Sequence, residues 1–109
     1  DLQCQATPSD AQMLNPEQIA ELLLQVPGWS TVNHGQILQL EKTFSFNNFV
    51  EAIAFANQIS PIAEANDHHP ALLVQYSSVK INWWSHSIGG LHLNDFVLAA
   101  KTDKAYSSL

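Results

Sequence analysis

Apolar residues recur at helical spacing in three segments of the chain. The first segment follows Asn15, Pro16 and Glu17, which together form a typical helix start. Asn caps a helix well, Pro suits the first helical position and an acid suits the first turn. We expect this helix to end at Pro27-Gly28, a helix-breaking pair. Its apolar positions are Ile19, Leu22, Leu23 and Val26.

The second helical segment covers about residues 47–66, and the third covers about residues 93–106. Pro61 lies inside the second segment. Because proline has no backbone N–H, we expect it to kink this helix or to divide it in two. The apolar positions of the second segment are Phe49, Val50, Ile53, Ala54, Ala56 and Ile59, continued by Ile62, Ala63 and Ala65.

Four shorter apolar segments lie between the helices, and we interpret them as β-strands. His34-Gly35 and Ser77-Ser78 are the expected tight turns, since Gly readily adopts positive φ. Side chains alternate between the two faces of a strand. The predicted strands are residues 29–33, 37–46, 72–76 and 79–85; in the last, Val79, Ile81, Trp83 and Ser85 share one face, and Lys80, Asn82, Trp84 and His86 share the other.

The predicted order is helix, two strands, helix, two strands, helix. Short hairpins imply antiparallel pairing, and helices on one face of such a sheet make a two-layer α+β domain. The pattern therefore predicts a four-stranded antiparallel sheet with helices packed on one face. Residues 1–14 are polar without a clear period, so we interpret them as an N-terminal tail and residues 15–109 as a single domain.

The composition favours a folded domain that associates with itself. Apolar residues make up 46% of the 109 residues, and charged residues make up only 13%. So low a charged fraction argues against disorder. It also leaves less charged surface than a lone monomer usually has, which indicates a homo-oligomer.

The charge balance excludes several classes of partner. The formal net charge is −6, and the chain has no arginine and only four lysines. Direct nucleic-acid binding requires clustered cations, so it is not expected. An arginine clamp for a carboxylate or phosphate substrate is also missing. A neutral, flat, polar ligand fits this balance better than an anion.

Nothing in the sequence predicts a membrane partner or a secretory route. No apolar run reaches the roughly 20 residues that a spanning helix needs, and no basic segment followed by an apolar stretch indicates a signal peptide. Cys4 is the only cysteine, so no internal disulfide can form. This suits a reducing compartment, and we expect a cytoplasmic protein.

Four of the five histidines lie between residues 68 and 92, and they are the strongest candidates for chemistry. Histidine titrates near neutrality, so a cluster can give and take protons. His68 and His69 directly precede Pro70, which fixes its own φ and pushes His69 toward extended backbone. We expect this stiff junction to present the imidazoles to one cleft. Glu64, Tyr76, His86 and Asp95 complete the candidate group.

The same residues have simpler explanations. His68 and His69 could cap the preceding helix, Asp95 could be an acid favoured at a helix start, and Glu64 could be a solvated helix residue. Three histidines can hold zinc, but neighbouring histidines rarely bind one ion with good geometry, so no metal is expected. No Gly-x-Ser-x-Gly motif indicates a serine hydrolase.

The spaced motif resembles that of the pterin-4a-carbinolamine dehydratases. Residues 64–70 read Glu-Ala-Asn-Asp-His-His-Pro, and Tyr76, His86 and Asp95 follow at the family's spacing. A lone His-His-Pro would be weak, but the full set requires several positions to coincide. Further similarity comes from Gly28-Trp29, from Phe44-x-Phe46-x-x-Phe49 and from Gly89-Gly90-Leu91, and it covers roughly residues 15–105.

This resemblance implies a fold of four antiparallel strands backed by helices, assembled as dimers or as tetramers of dimers. It implies the dehydration of 4a-hydroxytetrahydropterin to quinonoid dihydropterin, in tetrahydrobiopterin recycling, without metal or organic cofactor. His68, His69 and His86 would be the catalytic histidines. We expect His68 and His86 to transfer most protons and His69 to hold the pterin. Glu64, Pro70 and Asp95 would support them, and Trp84 would contact substrate, although Trp84 and Tyr76 also fit as sheet-packing aromatics.

The chain departs from the family at several positions. His92 replaces the usual threonine before the last helix, and we expect it to be a poor cap. Trp83-Trp84 is bulkier than the residues usually found there, and Ala71-Leu72 and Pro61 are also unusual. The alternative function is a non-catalytic adaptor, dimerisation cofactor or assembly factor. Family members of that kind tend to lose motif histidines, whereas this chain keeps all three.

Overall fold

Three helices and four strands alternate along residues 12–109, the part of the chain that the computed structural model describes. Most of the predicted tail, including Cys4, lies outside these residues. The predicted order of elements is confirmed. The elements are α1 (Pro16–Leu23), β1 (Ser30–His34), β2 (Ile37–Ser45), α2 (Phe49–Ala65), β3 (Ala71–Gln75), β4 (Ser78–Trp83) and α3 (Leu93–Ser107).

The four strands form one antiparallel sheet in the order β1-β2-β4-β3. Helix α2 connects the β1–β2 hairpin to the β3–β4 hairpin, and the second hairpin joins the first through β4. Leu40 of β2 pairs with Trp83 of β4, and Ala71 of β3 pairs with Asn82 of β4. The residues just before β3 therefore lie opposite the residues just after β4. This register brings residues 68–70 close to residues 84–86.

The core lies between the sheet and helices α2 and α3. Val79, Ile81 and Trp83 of β4 and Ser85 just after it were predicted to share one face, and all four are buried. Burial of aliphatic and aromatic side chains on this scale is the main force that holds the two layers together. The sheet contributes Leu40, Phe44, Val79, Ile81 and Trp83, and the helices contribute Ala52, Phe55, Ile59, Ala63, Phe96, Leu98 and Ala99.

The opposite face of the sheet carries polar residues. Asn82 of β4 is buried there, and its side-chain amide donates to Gln39 Oε1 and Glu41 Oε2, each at 3.0 Å. A buried amide needs such partners because its desolvation would otherwise be uncompensated.

The Gly28-Trp29 pair ties the start of β1 to α3. Trp29 Nε1 donates to both carboxylate oxygens of Asp103 at 3.1 Å, and Lys42 Nζ donates to Asp103 Oδ1 at 2.8 Å. Gly28 has φ +94°, and a Cβ atom at this position would lie 3.1 Å from Lys42 Nζ. Both features favour glycine here.

The first helix begins as predicted and ends earlier than predicted. Asn15 and Gln18 form a capping box in which each side chain accepts the other residue's backbone N–H. The helix ends at Leu23, and not at Pro27-Gly28. Tight turns follow, in which Val26 N–H donates to Leu23 O, and they bury Val26 although it is no longer helical.

Helix α2 runs through Pro61 from Phe49 to Ala65. Of the two expected effects of Pro61, a kink or a division of the helix, the division is therefore wrong. Pro61 removes the partner of the Asn57 carbonyl, four residues earlier. Pro61 and Asn57 are both exposed, so water can bind that carbonyl and the lost hydrogen bond does not force a break.

Both hairpin turns lie one residue away from their predicted positions. His34 is the last residue of β1 and pairs with Ile37, so that Gly35 and Gln36 form the turn with φ of +55° and +70°. Two consecutive positive φ values match the twist of a two-residue hairpin. In the second hairpin Gln75 pairs with Ser78, and the turn consists of residues 76–77.

No helix within residues 12–109 has both the length and the apolar character needed to cross a bilayer.

Candidate active site

The end of α2 determines where the first candidate histidine lies. Asp67 adopts a left-handed backbone with φ +47°. Its N–H donates to Glu64 O at 3.2 Å, and the N–H of His68 donates to Ala63 O at 3.1 Å. This pair of hydrogen bonds is the Schellman motif that closes many helices. The chain consequently reverses direction at Asp67 and directs His68 back toward the core.

His68 forms a buried pair with a distant carboxylate. Its Nε2 lies 2.7 Å from Asp95 Oδ1, and the two residues are 27 positions apart in sequence. His68 is 9% exposed and Asp95 is fully buried. The imidazole also lies beside the Trp83 ring, with centroids 6.0 Å apart. A carboxylate in this position orients an imidazole and stabilises the charge that develops when the ring takes up a proton.

Asp95 accepts two further hydrogen bonds through Oδ2. Ser85 Oγ donates to it at 2.9 Å, and the backbone N–H of His92 donates to it at 2.9 Å. Asp95 is therefore both the acid of a helix capping box and the partner of His68. Asp95 can therefore be an acid at the start of α3 and a partner of His68 at the same time.

The expectation that His92 caps α3 poorly is wrong. His92 is the N-cap, and its ring Nδ1 accepts the backbone N–H of Asn94 at 3.2 Å. An unprotonated imidazole nitrogen has a lone pair in the plane of the ring, so it can take the place of a threonine hydroxyl. The capping box with Asp95 is complete.

His69 pairs with a carboxylate at the surface. Its Nε2 lies 2.5 Å from Glu64 Oε2, and both side chains are more than half exposed. The Schellman turn places these residues side by side, because residue 69 folds back over the last turn of α2. Glu64 is thus a solvated helix residue that also touches a candidate histidine. An exposed pair of this kind contributes little to stability.

His86 is held by two contacts. Its Nε2 lies 3.0 Å from the backbone carbonyl of His69. A carbonyl oxygen can only accept, so this nitrogen carries the proton. The ring also stacks on Trp84, with centroids 4.3 Å apart and ring planes inclined by 19°. These contacts connect the third candidate histidine to the second, as the pairing of β3 with β4 requires.

The three histidines share one geometry. In each ring Nε2 meets an oxygen of the protein, which is a carboxylate for His68 and His69 and a carbonyl for His86. Within residues 12–109, no such contact is made by Nδ1 of these three rings. Where Nε2–H donates to its oxygen, Nδ1 is the basic nitrogen of the neutral ring. The site therefore contains three oriented imidazoles, which can accept or donate protons through Nδ1.

Two other residues of the candidate group lie at opposite ends of β3. Pro70 immediately precedes this strand and is half-buried. Tyr76 lies in the turn at the other end and is 72% exposed. The structure therefore does not bring Tyr76 to the histidines, and it does not bury Tyr76 in the sheet either.

Sequence reasoning missed Ser85 as a site residue. It was predicted only to share the inward face of β4 with Val79, Ile81 and Trp83. The available signal was a hydroxyl on an otherwise apolar buried face, since a buried hydroxyl requires a hydrogen-bond partner. The sequence did not show that this partner is Asp95, which lies ten positions away in a different element.

The described residues do not group into a metal site. Within residues 12–109, no three His, Cys, Asp or Glu side chains are arranged to hold one ion. The two neighbouring histidines pair with different carboxylates, Asp95 and Glu64.

Comparisons with known proteins agree with the sequence motif. A family model described as pterin 4 alpha carbinolamine dehydratase matches residues 12–105. The chain is similar to a solved structure from Brucella melitensis described as a transcriptional coactivator/pterin dehydratase. The TM-score is 0.78 and the identity 28%, over 86% of this chain and 98% of that chain.

A second solved structure is a pterin dehydratase-like protein described as a RuBisCO assembly factor in the alpha-carboxysome. It matches with a TM-score of 0.61 and 20% identity, over 72% of this chain and 89% of that chain. At this identity the likeness shows a shared fold.

Proposed function

This chain belongs to the pterin 4 alpha carbinolamine dehydratase family, and from that premise we propose that it converts 4a-hydroxytetrahydropterin to quinonoid dihydropterin. The reaction would serve tetrahydrobiopterin recycling. It needs no redox partner, because water is eliminated and no electrons leave the pterin. We propose that the protein performs it with its own side chains and without an added cofactor.

The elimination requires one acid and one base. A proton is added to the 4a-oxygen, the C4a–O bond breaks and water leaves. The proton on N5 is removed, and the electron pair of the N5–H bond becomes the new C=N bond. An imidazolium can supply the first proton and a neutral imidazole can accept the second. We assign these transfers mainly to His68 and His86.

The observation that supports this assignment most strongly is the common geometry of the three rings. Each Nε2 is held by a protein oxygen, so each ring has a defined orientation and directs its reactive chemistry through Nδ1. Holding the rings in advance lowers the entropy lost on reaching the transition state. For His68, the Asp95 carboxylate also stabilises the protonated ring.

The remaining candidates would bind the substrate or support the catalytic rings. His69 is exposed and its imidazole is held by Glu64, so it is available to hydrogen-bond a pterin. Trp84 lies directly beside His86 and is half-buried, so it would form one wall of the substrate site. Pro70 stiffens the junction between His69 and β3.

A direct assay tests the proposal. Enzymatically made 4a-hydroxytetrahydropterin is supplied, and quinonoid dihydropterin formation is followed with and without the protein, between about pH 6 and pH 8.5. We expect acceleration by the wild-type chain and losses in His68→Ala and His86→Ala. For His69→Ala we expect mainly a higher KM. If the wild-type chain gives no acceleration at any of these pH values, the dehydratase proposal is wrong.

An adaptor role is the second candidate, and it could coexist with catalysis. One similar protein is described as a coactivator as well as a dehydratase, and another as an assembly factor. In this chain β3 is an edge strand, and its Leu72 and Leu73 are exposed on opposite faces of the strand. Exposed apolar edges favour pairing with another chain.

We propose that the protein forms a homodimer or homotetramer, which measurement of its mass in solution will test.

A further inference from the structure

Ser85 connects the two histidines to which we assign proton transfer. We infer that Ser85 is a positioning residue, whose hydroxyl holds Asp95 against His68 and whose backbone closes the loop that carries His86. This inference rests on the proposed function, because it assigns a role within the same site. It concerns a residue that touches neither ring itself.

The first connection runs through the side chain. Ser85 Oγ donates to Asp95 Oδ2 at 2.9 Å, while Asp95 Oδ1 lies 2.7 Å from His68 Nε2. Ser85 is 1% exposed and Asp95 is fully buried, so bulk water cannot replace the hydroxyl. Hydrogen bonds to a buried charged group are among the strongest in proteins. Oδ2 also accepts the backbone N–H of His92 at 2.9 Å, so the Ser85 hydroxyl is one of two donors that together fix the carboxylate and, through it, the angle of the His68 ring.

The second connection runs through the backbone. Ser85 N–H donates to Gly90 O at 2.8 Å, and Gly90 N–H donates back to Ser85 O at 3.4 Å. This antiparallel bridge closes the short loop 86–89, of which His86 is the first residue. The loop turns at Gly89, with φ +63°. The position of His86 relative to β4 thus depends on the same residue that holds Asp95.

Ser85 is not placed to act as a nucleophile. In a serine triad the hydroxyl is hydrogen-bonded to the imidazole, which removes its proton. Here the hydroxyl donates to the carboxylate, and the imidazole lies on the other carboxylate oxygen. A hydroxyl that donates to a carboxylate and is shielded from solvent orients its partner but does not attack a substrate.

Substitution of Ser85 separates the two connections. Ser85→Ala removes the hydroxyl and leaves the backbone bridge to Gly90 intact, so only the His68 side of the site should change. We expect kcat to fall about tenfold with KM changed less than about twofold, as is typical when a supporting hydrogen bond is lost. Ser85→Thr retains the hydroxyl and should recover most of the wild-type kcat.

Two further variants control for stability. Trp29→Phe removes a hydrogen bond that lies outside the histidine network, from Trp29 Nε1 to the Asp103 carboxylate, and keeps an aromatic ring in the core. It should lower the melting temperature without a comparable loss of kcat. If Ser85→Ala fails to fold, Ser85→Cys replaces it, because a thiol has similar size but donates only weakly. The same fall in kcat is then expected of the cysteine variant.

A measurement without substrate distinguishes this inference from the proposed function. Proton–nitrogen NMR spectra of the imidazoles report the His68 Nε2–H that donates to Asp95. We expect this signal to shift or to exchange faster in Ser85→Ala and to be retained in Ser85→Thr, while the His86 signal is unchanged.

The two ideas can fail separately. An active wild-type chain whose kcat is insensitive to Ser85→Ala would overturn the positioning role and leave the dehydratase proposal intact. An equal loss of kcat in Trp29→Phe would also overturn it, since the loss would then follow from lower stability and not from the position of His68. An inactive wild-type chain would overturn the proposed function. The His68 NMR signal would then decide the inference, and an unchanged signal in Ser85→Ala would reject it.

Discussion

The imidazole of His86 lies nearly parallel to the indole of Trp84, with ring centroids 4.3 Å apart. Trp84 packs against the hydrophobic core, so it is a rigid support for an exposed ring. The carbonyl of His69 holds the edge of the same imidazole at Nε2. One contact sets the plane of the ring and the other sets its rotation in that plane.

Trp84 should therefore affect turnover through His86. We expect Trp84→Ala to lower kcat about tenfold because the imidazole loses its support, and Trp84→Phe to lose much less because an aromatic face remains. Steady-state kinetics of both variants measure the effect. A large rise in KM with unchanged kcat would instead mean that Trp84 acts only by contacting the substrate.

Asp95 should affect both activity and stability. Asp95→Asn removes the charge that stabilises protonated His68. It also replaces one acceptor oxygen by an amide N–H₂, which is a donor and cannot accept the hydrogen bonds that His68, Ser85 and His92 donate to the carboxylate. We expect kcat to fall roughly 10–100-fold and the free energy of unfolding to fall by about 1–3 kcal/mol. Dehydratase kinetics and urea denaturation provide the two measurements.

Asp103→Asn is the matched control for this variant. Asp103 is a carboxylate on the same helix, but it binds Lys42 and Trp29 and lies outside the histidine network. Its substitution should reduce stability and spare kcat. Equal losses of kcat in the two variants would contradict the specific role of Asp95.

His92 should contribute to the stability of α3 through its cap. Its ring Nδ1 accepts the Asn94 N–H, and its own backbone N–H donates to Asp95 Oδ2, which completes the capping box. Removal of the imidazole would leave the first turn of the helix without this acceptor.

We expect His92→Ala to lower the free energy of unfolding by about 1 kcal/mol, and His92→Thr to change it much less because a threonine hydroxyl also caps a helix well. Urea denaturation tests this. His34→Ala is the control, since His34 lies at a strand end 3.5 Å from Glu41. An exposed pair of that kind contributes little, so the control variant should lose less stability. Equal losses in His92→Ala and His34→Ala would refute the cap mechanism.

Asp67 occupies a backbone conformation that favours glycine. Its φ of +47° costs an L-residue about 1 kcal/mol, and its negative charge lies at the unfavourable end of α2. We expect Asp67→Gly to raise the free energy of unfolding by about 0.5 kcal/mol after the entropy of the unfolded chain is included. Asp67→Asn removes the charge and tolerates the same backbone. If it gives the whole gain, the backbone explanation fails.

Local patterns in the sequence were sufficient to predict the order of the elements. The helix cap at Asn15 and the alternation along β4 each depend on residues a few positions apart, so both can be predicted from a short stretch of sequence. The hairpin turns were misplaced by one residue because strand pairing, and not Gly35 alone, sets the register. Pro61 was expected to kink or to divide α2, and it does not divide the helix because its exposure lets solvent compensate for the missing hydrogen bond.

The sequence also identified the imidazoles but not the atoms that hold them. His68, His69, His86 and Asp95 were candidates because histidine titrates near neutrality and because their spacing resembles the family motif. Their pairing depends on contacts across the fold. His68 meets Asp95 only because α2 ends in a left-handed turn and α3 packs beside β4, and Ser85 joins them only because it faces inward from that strand. Residue chemistry is local, whereas hydrogen-bond partners 27 positions apart are decided by sheet register and helix packing.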